Sequence, residues 1–536
     1  MRLISEVQIL EVLRRQNEWW RSGKVSEDLA PSARRLAFHE IQSLLIQPEL
    51  KRAVILTGAR RVGKTVLLHQ TAQEAIEKGK PPKKIFYVTF EDLTLTQTDL
   101  REILDIYEKN IEKIDKETLI LLDEIHYTKD WSRWLMTVIR EFPNTRIVAT
   151  GSAAVFLRDK ETSESGVGRW TSVHIPTLSF YEYLLLRKID MPALSQDLTM
   201  DSLFQLSAKE QQDLLSAVSA AVESVKIGDS SLNLQREFNR YLLQGGFPAT
   251  VKDEFSLVLI QRLLREDVID KVLKRDMAYL YGVRNLSELD QIFVYLCFNT
   301  GGIVEKNTLA KELGTAAATV EKHLQRLEDA HLIYRLPPFD LGGKKALKPR
   351  YKAYIADPTL RNAVILRGEG IFNNERELGQ IIEMCVFKHL YAFYYSDHPR
   401  IGYWRSARGE REIDFLIGFP DGRQIGCEVK YSEKPSLSPK EGLWQWLALP
   451  AGRQDDGHKQ KTALLITKKD RDYGLTENKR VFQIPAFLFT YLLGHMELQK
   501  WLKVFPQQAQ YYGADTEPLP DERAIRNLPK TEGDKP

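Results

Sequence analysis

The eight residues Gly58-Ala59-Arg60-Arg61-Val62-Gly63-Lys64-Thr65 constrain the fold more than any other part of this chain. They have the spacing G-x-x-x-x-G-K-T and follow the apolar run Ala53–Leu56. They open a stretch whose apolar positions, Val66, Leu67, Ala72, Ala75 and Ile76, suit a helix; it stops at Gly79, ahead of Pro81-Pro82. A glycine-rich turn between a buried strand and a helix points consecutive backbone N–H groups at phosphate oxygens. Residues 58–65 therefore read as the cradle of ATP, with Lys64 reaching the outer phosphates and the Thr65 hydroxyl ligating Mg2+.

The surrounding chain supports that reading. Short apolar runs (AVILT, IFYVTF, TLILLDE, RIVATGS) alternate with helix-length stretches from Ala53 to Ser152, which indicates βαβ units around a parallel sheet covered on both faces. The run Thr118–Leu122 ends in Asp123-Glu124. Acids at the carboxyl end of a parallel strand stand where α/β ligands bind. Asp123 is assigned to Mg2+, and Glu124 to orienting and polarising the attacking water. The run Arg146–Thr150 ends in Gly151-Ser152; Ser152 either senses the γ-phosphate or caps a helix.

At 536 residues the chain is long enough for several domains. A net charge of +3 excludes a uniformly basic nucleic-acid coat, and 43% hydrophobic with 28% charged residues excludes wholesale disorder. No apolar run approaches the ~18 residues of a membrane span. The start, MRLISEVQILEVLRRQ, lacks a signal-peptide core. Cys297, Cys385 and Cys427 lie far apart in apolar surroundings, as buried reduced thiols would in a cytoplasmic protein. The expected organisation is multidomain α/β. Residues 1–175 hold N-terminal helices and the parallel sheet; 176–286 form a helical lid with an insertion near 190–232; 287–356 form a winged helix. Residues 357–500 form a second α/β domain, and 501–536 a Pro-rich, polar tail expected to be poorly ordered.

The winged-helix expectation rests on a short helix over Asn307–Leu313 with a turn at Gly314, then a helix from about Thr315 to Ala330 with Val320, Leu324 and Leu327 inward. The strand Leu332–Leu336, a Gly342-Gly343 turn and a basic return strand follow. Thr319, Lys322, His323 and Arg326 are expected to face outward toward a DNA groove, with Lys344, Lys345, Lys348 and Arg350 on phosphates. A lid or protein-docking role fits the same pattern.

In the C-terminal region Glu412–Ile417 and Ile425–Lys430 alternate polar and apolar residues around Phe419-Pro420-Asp421-Gly422-Arg423. Pro and Gly there suit a three-residue loop, a type I turn plus a glycine bulge. In that register 414 faces 428 and 412 faces 430, so Asp414 and Glu428 converge with Lys430 one step along. Such a trio suits a Mg2+ site for phosphodiester hydrolysis, in which the acids hold the metal and Lys430 positions water. It equally suits a scaffold with a salt bridge to Lys430.

The stretches ILTGARRVGKT, LILLDEIH, ATGSAA, VGRW with IPTLSFYEYL, LLQGGFP, GYWRSARGEREIDFLI and IGCEVKYS resemble a family. It is that of bacterial and archaeal AAA-type ATPases with a C-terminal domain of unknown function related to PD-(D/E)xK nucleases. The resemblance spans most of residues 35–450. It implies a P-loop AAA-type sheet with a helical lid, a winged helix and a restriction-endonuclease-like C-terminal domain. It makes Ser152 the sensor residue and Arg169 the candidate arginine finger or sensor, although an ordinary surface or salt-bridging arginine fits position 169 equally. It adds Glu383, on the helical stretch GQIIEMCVFKHL, to Asp414 and Glu428-x-Lys430 as metal-site residues for Mg2+ or Mn2+. DNA and a second copy of the chain are the implied partners. The implied function is a Mg2+-dependent, DNA-associated ATPase with a nuclease-like domain. The alternative is a nucleotide-switched regulator or scaffold whose nuclease-like domain is inactive.

Overall fold

A computed structural model describes residues 4–47, 51–128, 130–151, 170–189, 198–205, 209–210, 213–214, 216–218, 226–227, 230–231, 233–251, 254–283, 285–339, 350–406, 411–433, 441–448, 461–469, 474–475 and 481–507. The first sheet comprises β1 (Ala53–Thr57), β2 (Ile85–Thr89), β3 (Leu119–Asp123), β4 (Arg146–Thr150) and β5 (Trp170–His174). All its pairings are parallel, in the order β2-β3-β4-β1-β5. The continuous apolar runs are buried as a parallel sheet covered on both faces requires. The edge strand β5 was not anticipated, because WTSVH is short and half polar.

The other edge, β2, is covered by the N-terminal helices Glu6–Gln16 and Trp19–Ser22. Asn17 acts as a one-residue strand: its side chain accepts from Tyr87 N–H at 2.8 Å and donates to Tyr87 O at 2.8 Å. Trp19 and Trp20 both donate their indole N–H to Ile85 O, at 3.1 and 2.8 Å. The backbone groups an edge strand would expose are thereby satisfied. The helix Lys64–Glu77 follows the glycine-rich loop and ends before Gly79, as its pattern predicts.

Between the two sheets the chain is mainly helical. A two-residue ladder, β6 (Lys226–Ile227) with β7 (Ser230–Ser231), lies in the insertion. The lid region contains an unexpected element: the helix Leu257–Leu264 continues as an i→i+5 bonded π-helix over Arg265–Asp276. Sequence periodicity gives no sign of it. Helices Lys306–Glu312 and Ala317–Asp329 then precede an antiparallel hairpin of β8 (Ile333–Leu336) and β9 (Lys352–Ile355). Val320, Leu324 and Leu327 face inward as expected, but so does His323, which is 3% exposed. It lies 3.6 Å from Glu288 rather than pointing outward. Position 323 shares the apolar stripe of 320, 324 and 327, and burial holds the imidazole below its ordinary pKa. Lys322 and Arg350 are exposed, and Thr319 and Arg326 are half-buried. Lys344, Lys345 and Lys348 lie outside the described residues, as do most of the insertion and the tail beyond residue 507.

The second sheet holds β10 (Arg400–Arg405), β11 (Glu412–Gly418), β12 (Gln424–Lys430), β13 (Lys461–Thr467), β14 (Gly474–Leu475) and β15 (Val481–Pro485). Its order is β10-β11-β12-β13-β15-β14. The β11–β12 register pairs Phe415 with Cys427 and Gly418 with Gln424. Phe419 N–H donates to Arg423 O at 2.9 Å, and Gly422 sits at φ +88°. This is the three-residue bulged loop that the turn chemistry predicts. Lys388 and Asp357, both buried, pair between the helix Glu375–Phe393 and the second residue after β9. Cys297, Cys385 and Cys427 are buried and free. Among the described residues no helix is long and apolar enough to cross a membrane.

Candidate functional site

The glycine-rich loop turns at the end of β1, which lies between β4 and β5 in the parallel sheet. Gly58 has φ +148°, and a Cβ there would lie 2.2 Å from Ile175 O, so the loop's first position has no room for a side chain. Lys64 is buried and donates to Gly58 O at 3.1 Å and to Ala59 O at 3.0 Å. Burial pulls its ammonium below the usual lysine pKa, although Glu124 and Asp123 oppose this. Arg35 fixes the far side of the loop. It donates to Val62 O at 2.7 Å and to both oxygens of buried Glu182, each at 2.9 Å.

Strand β4 separates β1 from β3 and supplies the link between loop and acids. Thr150 Oγ1 donates to Asp123 Oδ1 at 2.6 Å and accepts from Glu124 N–H at 2.9 Å. Thr65 donates to Asp123 Oδ2 at 2.9 Å, and Tyr87 OH donates to the same oxygen at 3.1 Å. Asp123 is therefore locked among three hydroxyls with the Thr65 hydroxyl beside it. Hard oxygens so placed fit Mg2+. Neither Thr150 nor Tyr87 was singled out from sequence. Only their strand positions mark them: Thr150 lies opposite the acid on β4, and Tyr87 lies two residues before the acid's β2 partner Thr89.

Glu124 stands at φ +49°, a strained setting for a non-glycine residue. Burial raises its carboxyl to a pKa of about 7, while Lys64 holds it down. His126 Nδ1 lies 3.2 Å from Glu124 Oε2; burial drops this imidazole to about 3, so it is neutral there. The side chains of the loop's arginines are paired with acids. Arg60 pairs with Asp276 at 3.0 Å and Glu91 at 3.2 Å, and Arg61, at φ +66°, pairs with Asp267 at 3.0 Å. Both aspartates belong to the π-helix. The backbone of Gly58 through Gly63 lines the same loop. Ser152 and Arg169 lie outside the described residues.

At the second sheet, extending the β11–β12 register sets Asp414 opposite Glu428, as predicted. The two side chains take different partners. Glu428 pairs with Lys430 at 3.0 Å, and burial together with nearby Asp414 raises its pKa to about 8. Asp414 turns toward Glu383 and Glu412, all three meeting Lys352 from β9. Burial and Asp414 raise Glu383 to about 7. Among the described residues no group of three or more His, Cys, Asp or Glu side chains is arranged to hold a metal ion. Lys352 escaped sequence reading because nothing on its own strand signals a partner in the distant hairpin.

Residues 50–184 match the family model of an AAA domain. Residues 235–370 and 378–487 match two domains of unknown function, DUF8612 and DUF4143. An uncharacterized protein of Haemophilus influenzae is 27% identical over 62% of this chain and 73% of its own length. One of Methanocaldococcus jannaschii is 25% identical over 73% of this chain and 78% of its own. Among solved structures, AMPPCP-bound DnaA from Aquifex aeolicus overlaps 57% of this chain and 89% of its own at 16% identity and TM-score 0.25. NtrX from Brucella abortus in complex with ADP overlaps 60% and 73% at 13% identity and TM-score 0.24. The parallel sheet, the loop geometry and the family match together make residues 50–184 an AAA-type, ATPase-like domain.

Proposed function

We propose that this domain binds ATP with Mg2+ and hydrolyses it, and that nucleotide state acts on the helical lid and the modules beyond. The observation that carries the reading is the Thr65–Asp123–Thr150 chain beside Lys64. The loop's backbone N–H groups and Lys64 take the phosphates, and Thr65 with Asp123 holds the ion. Mg2+, when bound, supplies charge to neutralise the phosphates. Glu124, poised by burial near neutrality, takes a proton from water. Ser152 and Arg169 are proposed to sense the γ-phosphate and stabilise charge at the site, Arg169 within its own subunit or across to a second copy. Glu124→Gln is expected to retain ATP binding and abolish turnover. Undiminished hydrolysis by that variant overturns the assignment.

The helices Lys306–Glu312 and Ala317–Asp329 with the β8–β9 hairpin have the order of a winged helix. Exposed Lys322 and Arg350 support contact with DNA phosphates in the cytoplasm. For the C-terminal region two readings stand: a Mg2+- or Mn2+-dependent nuclease using Asp414, Glu428, Lys430 and Glu383, or a nuclease-like scaffold that does not cut. The lysine among the carboxylates favours the scaffold. Plasmid cleavage compared between wild type, Asp414→Ala and Lys430→Ala decides. Cleavage lost in both variants establishes the nuclease, and no cleavage by wild type establishes the scaffold.

A further inference from the structure

The carboxylates beside the β11–β12 hairpin already hold a cation, and it belongs to the chain. Lys352 Nζ lies 2.5 Å from Glu412 Oε1, 3.4 Å from Glu383 Oε1 and 3.6 Å from Asp414 Oδ1. The Lys352 side chain is 5% exposed. Carboxylates gathered away from water repel one another unless something positive stands between them. An ammonium carries three N–H donors, and here it faces three acids.

Several of the other lone pairs are engaged too. Glu412 Oε2 accepts from Arg405, and Asp414 Oδ2 accepts from Val429 N–H at 2.9 Å. Glu383 Oε1 also accepts from Tyr354 OH at 2.6 Å. A hard divalent ion needs several oxygens free to turn toward it. Both oxygens of Glu412 and of Asp414 and one oxygen of Glu383 have such partners. Glu428 Oε2 is buried without a hydrogen-bond partner among the described residues, and Lys352 fills the position between Glu412, Glu383 and Asp414.

Nor is Lys352 placed to swing aside. Strand β9 is buried along its length. Lys352 pairs with Leu336 and bridges to Ile303, and Tyr354 stacks on Phe387 with ring centroids 4.7 Å apart. Two residues past the strand stands Asp357, which is paired with buried Lys388. The lysine comes from the helix–hairpin unit; Glu412 and Asp414 come from the second sheet, and Glu383 from the helix packed on it.

We propose that Lys352 is the resident cation of this cluster, held where a divalent metal would otherwise sit, and that its ammonium fastens the helix–hairpin unit to the C-terminal sheet. The proposal deepens the scaffold reading and gives its physical cause: the carboxylates are neutralised by the chain itself.

The test is Mn2+ uptake by the nucleotide-free full-length chain, followed through the electron-spin signal of free Mn2+. Without phosphates the P-loop lacks most of its ligands for the ion, so uptake reports the carboxylates. Wild type and Lys352→Arg, which keeps the charge, are expected to take up none at equimolar Mn2+. Lys352→Gln is expected to gain a single saturable site that Lys352→Gln/Asp414→Asn lacks. Mn2+ should raise the melting temperature of Lys352→Gln and leave that of wild type unchanged. Folded Lys352→Gln that takes up no Mn2+ overturns the proposal. So does uptake by wild type that Asp414→Asn abolishes, an outcome readable even if Lys352→Gln does not fold. Plasmid cleavage is scored separately, so the scaffold reading fails by cutting and this proposal fails by wild-type metal uptake.

Discussion

Lys64 and Lys352 are both buried lysines with acids close by, and the molecule uses them in opposite ways. Lys64 donates to two backbone carbonyls of its own loop. Carbonyl dipoles position an ammonium without cancelling its charge, and burial, with the nearby Arg60 charge, lowers its pKa, so the positive charge stays available to an arriving anion. Lys352 sits among formal negative charges, which push its pKa above the usual lysine value despite burial. Its charge is spent inside the fold. Whether a buried lysine is an instrument or a rivet is decided by what holds it: neutral dipoles or carboxylates.

The contrast breaks first at Glu124. If the loop is the working site, Glu124→Gln should lower kcat by about 10²–10⁴-fold with ATP affinity retained, measured by phosphate release and equilibrium nucleotide binding. A smaller fall would mean that water is activated elsewhere. Arg35→Met probes the dipoles themselves. It strands buried Glu182 and frees Val62 O, and should cost about 3–5 kcal/mol in denaturant unfolding, with weaker ATP binding. Gly58→Ala forces a Cβ against Ile175 O at a φ that side chains avoid, and should cost about 3 kcal/mol with loss of nucleotide binding. Thr150→Val removes one donor to Asp123 and one acceptor for Glu124 N–H. It should cost about 1–3 kcal/mol, appearing in kcat more than in KM. Lys322→Ala is the mildest: duplex-DNA binding should weaken modestly, with the salt slope reduced by about 1. An unchanged slope places the DNA contact elsewhere or argues for a protein partner.

How far the sequence carries depends on whether cause and effect are local. The strand, glycine loop and helix at residues 53–77 are specified within a few residues, and the structure follows them. So is the β11–β12 register, because Pro420 and Gly422 fix the loop length and the loop length fixes every pairing above it. Partners brought together by the sheet were not legible. Thr150 meets Asp123 only because β4 lies beside β3, and Lys352 reaches Glu412 across 60 residues of chain (412 − 352). His323 misled for a simpler reason: polarity suggested solvent, while its helical phase matched the buried stripe.

The π-helix has a consequence of its own. Asp267 and Asp276 are nine residues apart (276 − 267). At 3.6 residues per turn that separation is two and a half turns, which would send the two carboxylates to opposite sides. Wider winding, at roughly 4.4 residues per turn, brings them round to one side, where Arg61 and Arg60 grip them together. The pitch of a coil more than two hundred positions downstream is thus written into the grasp of two neighbouring guanidiniums. Rewinding it to the ordinary pitch would release one of them.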